Sequence, residues 1–360
     1  MKPSLSETSA AAKLSAGDFY SEYHGHPISQ LEALHASLVR LGEARDGRRP
    51  RFAFLVGDSS LDNKHWFFGP SASKASQLHD GAFTAAATPG YADVLAPPRM
   101  VMDVSYHMNA LLAERRDGAG GLGGEAVYAI NASVEESTIA DRLAADADGG
   151  VRLLAHDAFV RDALTERDVV VLSLGGNDVA LRPSAATIAA MGLLTRVTPT
   201  WLLRLGCAPG LGHFFALFHD RIEEIVTKIA AANGGRKPAK VLVCMIYYLD
   251  ETPGGSWADG VLSKLGYDSD PAKLKLIIQM LFERVAAAGF RVDGVEVVPF
   301  ALFKVLDGTD SRDYVQRVEP SVQGGRKMAR AIVDELFPPP PSSSPHNGDD
   351  MAVVEPTQRT

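Results

Sequence analysis

The stretch Val56-Gly57-Asp58-Ser59-Ser60-Leu61-Asp62-Asn63 decides how the chain reads. It ends the apolar run 51–56, which is short enough and apolar enough to be a strand buried on both faces of a parallel sheet. Gly57 permits a tight turn out of that strand. Ser59 then emerges at the carboxyl end of the strand, where ligands bind in open α/β sheets. A serine in that position is either an exposed nucleophile or the N-cap of a following helix.

Four further apolar runs have the same character: 126–131, 168–174, 240–249 and 294–299. Helical patterns lie around them at 28–44, 98–116, 134–145, 213–233, 271–288 and 322–337. Alternation of this kind predicts an α/β domain with a doubly wound, five-stranded parallel sheet and helices on both faces. Three long connections, 62–97, 180–212 and 250–270, are candidates for binding loops or lids. A single domain is expected over 27–337. A disordered N-terminal segment over 1–26 and a disordered Pro/Ser-rich tail over 338–360 would flank it.

The 360 residues are 46% hydrophobic and 22% charged, the balance of an ordinary globular protein. Lys and Arg total 36 and Asp and Glu total 44, so the net charge is −8, which argues against nucleic acid as the main partner. Two cysteines, Cys207 and Cys244, exclude a disulfide framework and a cysteine-based zinc site; Cys244 falls in an apolar run and is expected to be buried. The first 17 residues lack a basic region followed by an apolar stretch, and no run approaches the length of a spanning helix. The expectation is a cytoplasmic protein with no membrane span, no cofactor and no metal.

Two more strand ends carry candidate chemistry. The run 126–131 leads into Asn131-Ala132-Ser133-Val134-Glu135-Glu136-Ser137-Thr138, and 168–174 leads into Gly175-Gly176-Asn177-Asp178. Asn177 follows two small residues that let a ligand approach. It is either a donor to a developing oxyanion or an ordinary turn asparagine. Its occurrence together with Ser59, each past a predicted strand, favours chemistry.

These blocks resemble those of the SGNH, or GDSL, hydrolase superfamily of serine esterases and lipases, and the resemblance implies a three-layer α/β/α, flavodoxin-like fold. Residues 57–63 resemble its first block, 131–138 the second, 175–178 the third and 318–328 the terminal one, in the family's order and over almost the whole expected domain. The resemblance implies that Ser59 is the nucleophile and that its backbone N–H joins an oxyanion hole with the Asn177 side chain. The second block usually supplies a glycine N–H to that hole; here the aligned residue is Glu136. The terminal block departs furthest. Pro320, Ser321 and Gly324 keep its frame, but Glu319 stands at the histidine position and Gln316 at the aspartate position. A carboxylate with an ordinary pKa near 4.3 is a poor base at neutral pH. Glu319 is therefore either a base whose pKa is raised by burial or by neighbours such as Asp58, Asp62, Glu135 and Glu136, or a solvated loop carboxylate.

Asp58, Gly176, Gln316 and His65 are secondary candidates; His65, six residues after Ser59, is the histidine most able to fold over the strand ends. Gly118-Ala119-Gly120-Gly121-Leu122-Gly123 matches a dinucleotide-loop spacing but precedes a strand instead of following one. The reading that follows is a serine hydrolase acting on a small-molecule ester, with Ser59, Asn177 and Glu319 as its catalytic residues. The alternative is an inactive protein of the same fold that binds a small ligand or a protein partner.

Overall fold

A computed structural model describes residues 13–68, 78–79, 81–117, 122–144, 153–231 and 236–338. Its centre is a five-stranded parallel sheet of β1 (Arg51–Gly57), β2 (Val127–Asn131), β3 (Val169–Ser173), β4 (Lys240–Cys244) and β5 (Glu296–Phe300). The strands lie in the order β2-β1-β3-β4-β5, the flavodoxin-like arrangement. Register is fixed by pairs such as Phe54 with Ile130, Leu55 with Val171, Leu172 with Val243 and Leu242 with Val298. The order reverses at β1, between β2 and β3, which is where Ser59 leaves the sheet.

Side chains alternate between two cores because successive strand residues point to opposite faces. Phe52, Phe54, Val56, Ile130, Val170 and Leu172 pack on one side. Against them lie α1 (Ile28–Asp46), α3 (Ala155–Ala163), α4 (Arg221–Ala230) and α5 (Pro271–Ala288). Ala53, Leu55, Ala129, Val171 and Leu242 face the other side, covered by α2 (Val104–Asp117) and α6 (Val322–Leu336). Pro271 opens α5 at the first helical position, where its missing N–H costs nothing. The Ser321 hydroxyl caps α6 by accepting from the N–H groups of Gln323 and Gly324.

Several expectations are corrected. Residues 13–26 are not a loose leader: Leu14–Ser15 pairs with Leu95–Ala96, Phe19 and Tyr20 are buried, and His26 stacks on Phe19 at 4.1 Å. Buried aromatics and a strand pairing thus dock a segment that composition alone reads as a loose terminus. The helix expected from 98 starts later, because Arg99–Val101 pairs antiparallel with Thr84–Ala86 before α2 begins. The strand expected over 240–249 stops at Cys244, and the rest of that apolar run leaves the sheet to line a cavity. The helix expected over 134–145 shrinks to Ile139–Arg142, because a turn at Glu135–Glu136, with Glu136 at a φ of 59°, carries the chain from the strand end to the Thr138 cap. The helix expected from 213 to 233 is broken by a π turn at Ala216–Asp220. Of the tail expected over 338–360, residues 339–360 lie outside the described residues. Cys244 is buried and Cys207 exposed. Among the described residues no helix is long and apolar enough to cross a membrane.

Docking of the N-terminal segment predicts a large effect from one side chain. Phe19→Ala should cost about 3 kcal/mol in urea unfolding, the usual size for a buried phenylalanine. A loss below about 1 kcal/mol would mean that the segment contributes little to the fold.

Candidate active site

The site is built where three strand ends meet. Gly57 closes β1 in a place with no room for a side chain: a Cβ there would lie 2.8 Å from both Ser173 O and Leu61 Cδ1. The turn that follows is capped by Asp58, whose carboxylate accepts the Ser60 N–H at 3.0 Å and whose carbonyl accepts those of Leu61 and Asp62. Capping is thus done by Asp58, which leaves the Ser59 hydroxyl for another partner. Ser59 Oγ donates to Glu319 Oε1 at 3.0 Å, with both residues buried.

Glu319 reaches Ser59 from a small antiparallel pair, Tyr314–Val315 with Glu319–Pro320. The intervening turn needs positive φ at Gln316 (53°) and Arg317 (66°), a backbone that non-glycine residues adopt at a cost. Arg317 holds it there: its guanidinium pairs with Asp259 at 2.7 Å and Asp268 at 3.0 Å and also bonds Asp250 O. Tyr247 donates to Val318 O at 2.6 Å and Asn63 to Pro320 O, so the peptide groups on both sides of Glu319 are pinned. Behind them Gly324 packs so closely that a Cβ would fall 2.1 Å from Asp313 O. Gln316 does not reach Glu319. Its carbonyl accepts from Ser256 Oγ, and its side-chain oxygen takes the Trp257 N–H at 3.3 Å.

Asn177 sits in the turn of helix that follows β3 (Gly176–Ala180). Its Nδ2 donates to Ser137 O at 3.0 Å, which occupies one of its two hydrogens and aims the amide along the strand ends. Arg142 ties the same loops together. It is fully buried, paired with Asp157, and donates to Gly57 O at 2.6 Å and Ser137 Oγ at 3.1 Å. Glu136 adopts φ of 59°, the conformation a glycine would take freely. Its carboxylate turns away from Ser59 to accept from Tyr23 OH at 2.8 Å.

Ser59, Asp58, Gly176, Asn177 and Glu319 line one cavity of about 120 Å³. Most of its remaining wall is apolar, including Leu174, Phe214, Phe218, Ile278 and Leu281. Glu136, Gln316 and His65 lie outside that lining. His65 packs its ring against Tyr23 at 4.3 Å and Trp66 at 5.3 Å, and the Ser59 hydroxyl is bonded to Glu319 instead. Tyr247, Arg317 and Arg142 are the positioning residues that sequence reading misses. Each acts over a long span of chain, Tyr247 on a carbonyl 71 residues away, and no local spacing announces that. Among the described residues no group of three or more His, Cys, Asp and Glu side chains could hold a metal ion.

Burial sets the protonation of the site. It raises the Glu319 carboxyl to about 8; the hydrogen bond from Ser59 opposes the rise, and the charge of Asp58 adds to it. Asp58 rises to about 6, again through burial, with the Ser60 hydrogen bonds opposing. Glu135, buried behind the pair, is held well above the carboxylate range by burial and by the charges of Glu319 and Asp62. At neutral pH the Ser59–Glu319 pair therefore holds a largely protonated carboxyl, and it becomes an acceptor of the serine proton as pH rises through about 8.

No family model and no curated protein matches the chain. Among solved structures, it is similar to an acetyl xylan esterase from Geobacillus stearothermophilus at 13% identity, over 80% of this chain and 95% of that one, with a TM-score of 0.40. An aryl esterase of M. smegmatis matches at 14% identity over 79% and 98%, with a TM-score of 0.39. A phospholipase A1 from Streptomyces albidoflavus matches at 13% over 80% and 99%, with a TM-score of 0.37. Likeness this loose adds nothing to the fold, which rests on the strand order.

The raised carboxyls make stability pH-dependent. His26, His35 and His107, buried and depressed to about 4, add stability as pH rises through the ordinary histidine value near 6.5, and that effect is nearly complete by about pH 7.5. Between about pH 7.5 and 9 the unfolded chain has already released its carboxyl protons, whereas folded Glu319 (about 8) and Glu135 (higher still) give theirs up only within or above that window. The native state binds more protons, so unfolding free energy should fall across this window, by about 1–3 kcal/mol. Glu319→Gln should flatten part of the fall in urea titrations; a wild-type stability that is constant or rising there would contradict the assignment.

Proposed function

We propose that the protein is a serine ester hydrolase of SGNH type in which a Ser59–Glu319 pair replaces the serine–histidine pair. The observation that carries this reading is the 3.0 Å hydrogen bond from Ser59 Oγ to Glu319 Oε1 at the wall of an apolar cavity. Ionised Glu319 takes the hydroxyl proton as Ser59 Oγ bonds to the ester carbonyl carbon. The free Nδ2 hydrogen of Asn177 and the backbone N–H groups of Ser59 and Glu136 receive the negative oxygen. Glu319 then returns the proton to the departing alcohol. It next takes one from the water that attacks the acyl-serine, restoring the free serine and releasing the acid.

Replacement of histidine by glutamate is workable here because burial brings the carboxyl into the range where a base operates near neutral pH. The same fact favours a second reading, a non-catalytic small-molecule binder. With Gln316 turned to the 256–257 loop, the Glu319 carboxyl is mostly neutral at pH 7 and can simply hold Ser59 in place.

Turnover of a small activated ester at about pH 8.5 separates the two. Ser59→Ala should lower kcat/KM by about 10³-fold or more and Glu319→Gln by about 10²-fold or more. Glu136→Gly should stay within about threefold of wild type, because only its backbone N–H is used. A folded wild-type protein with no serine-dependent turnover would leave the binding reading in its place.

A further inference from the structure

One stretch of the connection between β3 and β4 is apolar on both of its sides. The helical segment Ala185–Gly192, continuing through Leu193–Val197, turns Met191 and Leu194 inward to the cavity that holds Ser59. The opposite side carries Ile188, Leu193 and Val197, and the next turn adds Trp201 and Leu205, all between 39% and 69% exposed. Among the described residues these are five of the six large apolar side chains that stand in solvent; the sixth, Trp257, lines the same cavity. A helix that is apolar all round is normally covered on every side. Scattered surface apolar residues need no explanation, but a concentration of them in one segment marks a surface with a partner.

Charge says which partner. Residues 179–219 contain Arg182, Arg196 and Arg204 and neither aspartate nor glutamate, in a chain whose net charge is −8. Neighbouring cations reach into the same segment: Lys273 Nζ bonds Thr195 O at 2.6 Å and Arg284 bonds Gly206 O at 3.3 Å. Arg182 is partly neutralised by Asp141, but Arg196 bonds only the carbonyl of Lys264 and keeps its full charge. A second copy of this face would bring like charges together. A segment of exposed apolar side chains that carries arginines and no acidic residue is instead complementary to the headgroups and acyl boundary of an anionic lipid layer.

We infer that the face bearing Ile188, Leu193, Val197, Trp201 and Leu205 docks on an anionic lipid surface, and that the segment guides acyl chains from that surface into the apolar cavity beside Ser59. Docking stands on the exposed face and its charge; delivery of an ester to Ser59 rests on the hydrolase reading. The inner wall of Met191, Leu194, Phe214 and Leu281 suits a hydrocarbon chain, since a cavity of comparable size lined by such residues accepts apolar guests. The tryptophan and leucines enter the interface, the arginines stay at headgroup level, and the acidic remainder of the protein faces water.

The test is flotation of the full chain with lipid vesicles, run beside turnover of a water-soluble short-chain ester. Wild type should float with vesicles containing phosphatidylglycerol about tenfold more than with pure phosphatidylcholine, and high salt should weaken the binding. Trp201→Glu and Val197→Asp, both on exposed positions away from the cavity, should each reduce flotation about tenfold while leaving soluble-ester turnover unchanged. Quenching of tryptophan emission by brominated lipid should be largely lost in Trp201→Phe, a change too mild to disturb folding. Equal flotation with both vesicle types, or none, would overturn the inference. So would a solution dimer that Trp201→Glu dissociates, since that would assign the face to a second copy. Flotation without any ester turnover would keep the docking and remove the hydrolase reading.

Discussion

A buried carboxyl facing a buried serine hydroxyl is the contact on which this site depends. Ser59 and Glu319 are 260 residues apart and meet at 3.0 Å. Burying a carboxyl is costly unless it stays protonated or finds donors. The chain meets that cost with a framework that leaves Glu319 little freedom: Arg317 clamps the turn before it, Tyr247 and Asn63 fix its neighbours, and Ser321 starts the helix after it. The strained φ values at Gln316 and Arg317 belong to the same arrangement, since they aim the short Glu319–Pro320 segment at the end of β1. The proposed chemistry follows from one consequence of that burial, a carboxyl that changes charge near neutral pH rather than near pH 4.

Much of this is legible in the amino-acid order. Continuous apolar runs mark strands covered on both faces, and the residues just past them mark the site, because a parallel sheet gathers its carboxyl ends along one edge. Ser59 and Asn177 come together for that reason, and the antiparallel pair beyond β5 brings Glu319 to Ser59. The failures share a cause as well. The run 240–249 is apolar throughout, but only its first half pairs with neighbours, and the second half is apolar because it walls a cavity. Periodicity cannot separate those two uses of the same residue types. Phe19 and Tyr20 dock a segment whose composition otherwise resembles a loose terminus. Gln316 stands beside Glu319 in sequence yet points to residues 256–257, because two successive positive φ values reverse the chain there.

The long connections divide the work between chemistry and recognition. The 250–270 connection supplies Asp259 and Asp268, which pair with Arg317, so it supports the turn that carries Glu319. The 180–212 connection supplies no charged group to the cavity; it contributes Met191, Leu194 and Thr195 to the wall and apolar side chains to the outer surface. In the proposed reaction one end of the cavity thus holds the polar groups that act on an ester and the other holds its hydrocarbon. Glu136 fits the same division. Its backbone takes a glycine-like turn past the end of β2, while its carboxylate is drawn off to Tyr23.

The claim that Glu319 serves as base to Ser59 is tested most directly by the rate of covalent labelling of Ser59 with an alkyl phosphonofluoridate. The rate would be followed from about pH 5 to about pH 10 in wild type and in Glu319→Gln. The account predicts a wild-type rate that rises with an apparent pKa of about 8 and a slow rate without that rise when Glu319 is replaced. A rate independent of pH, or the same profile in both proteins, would contradict it.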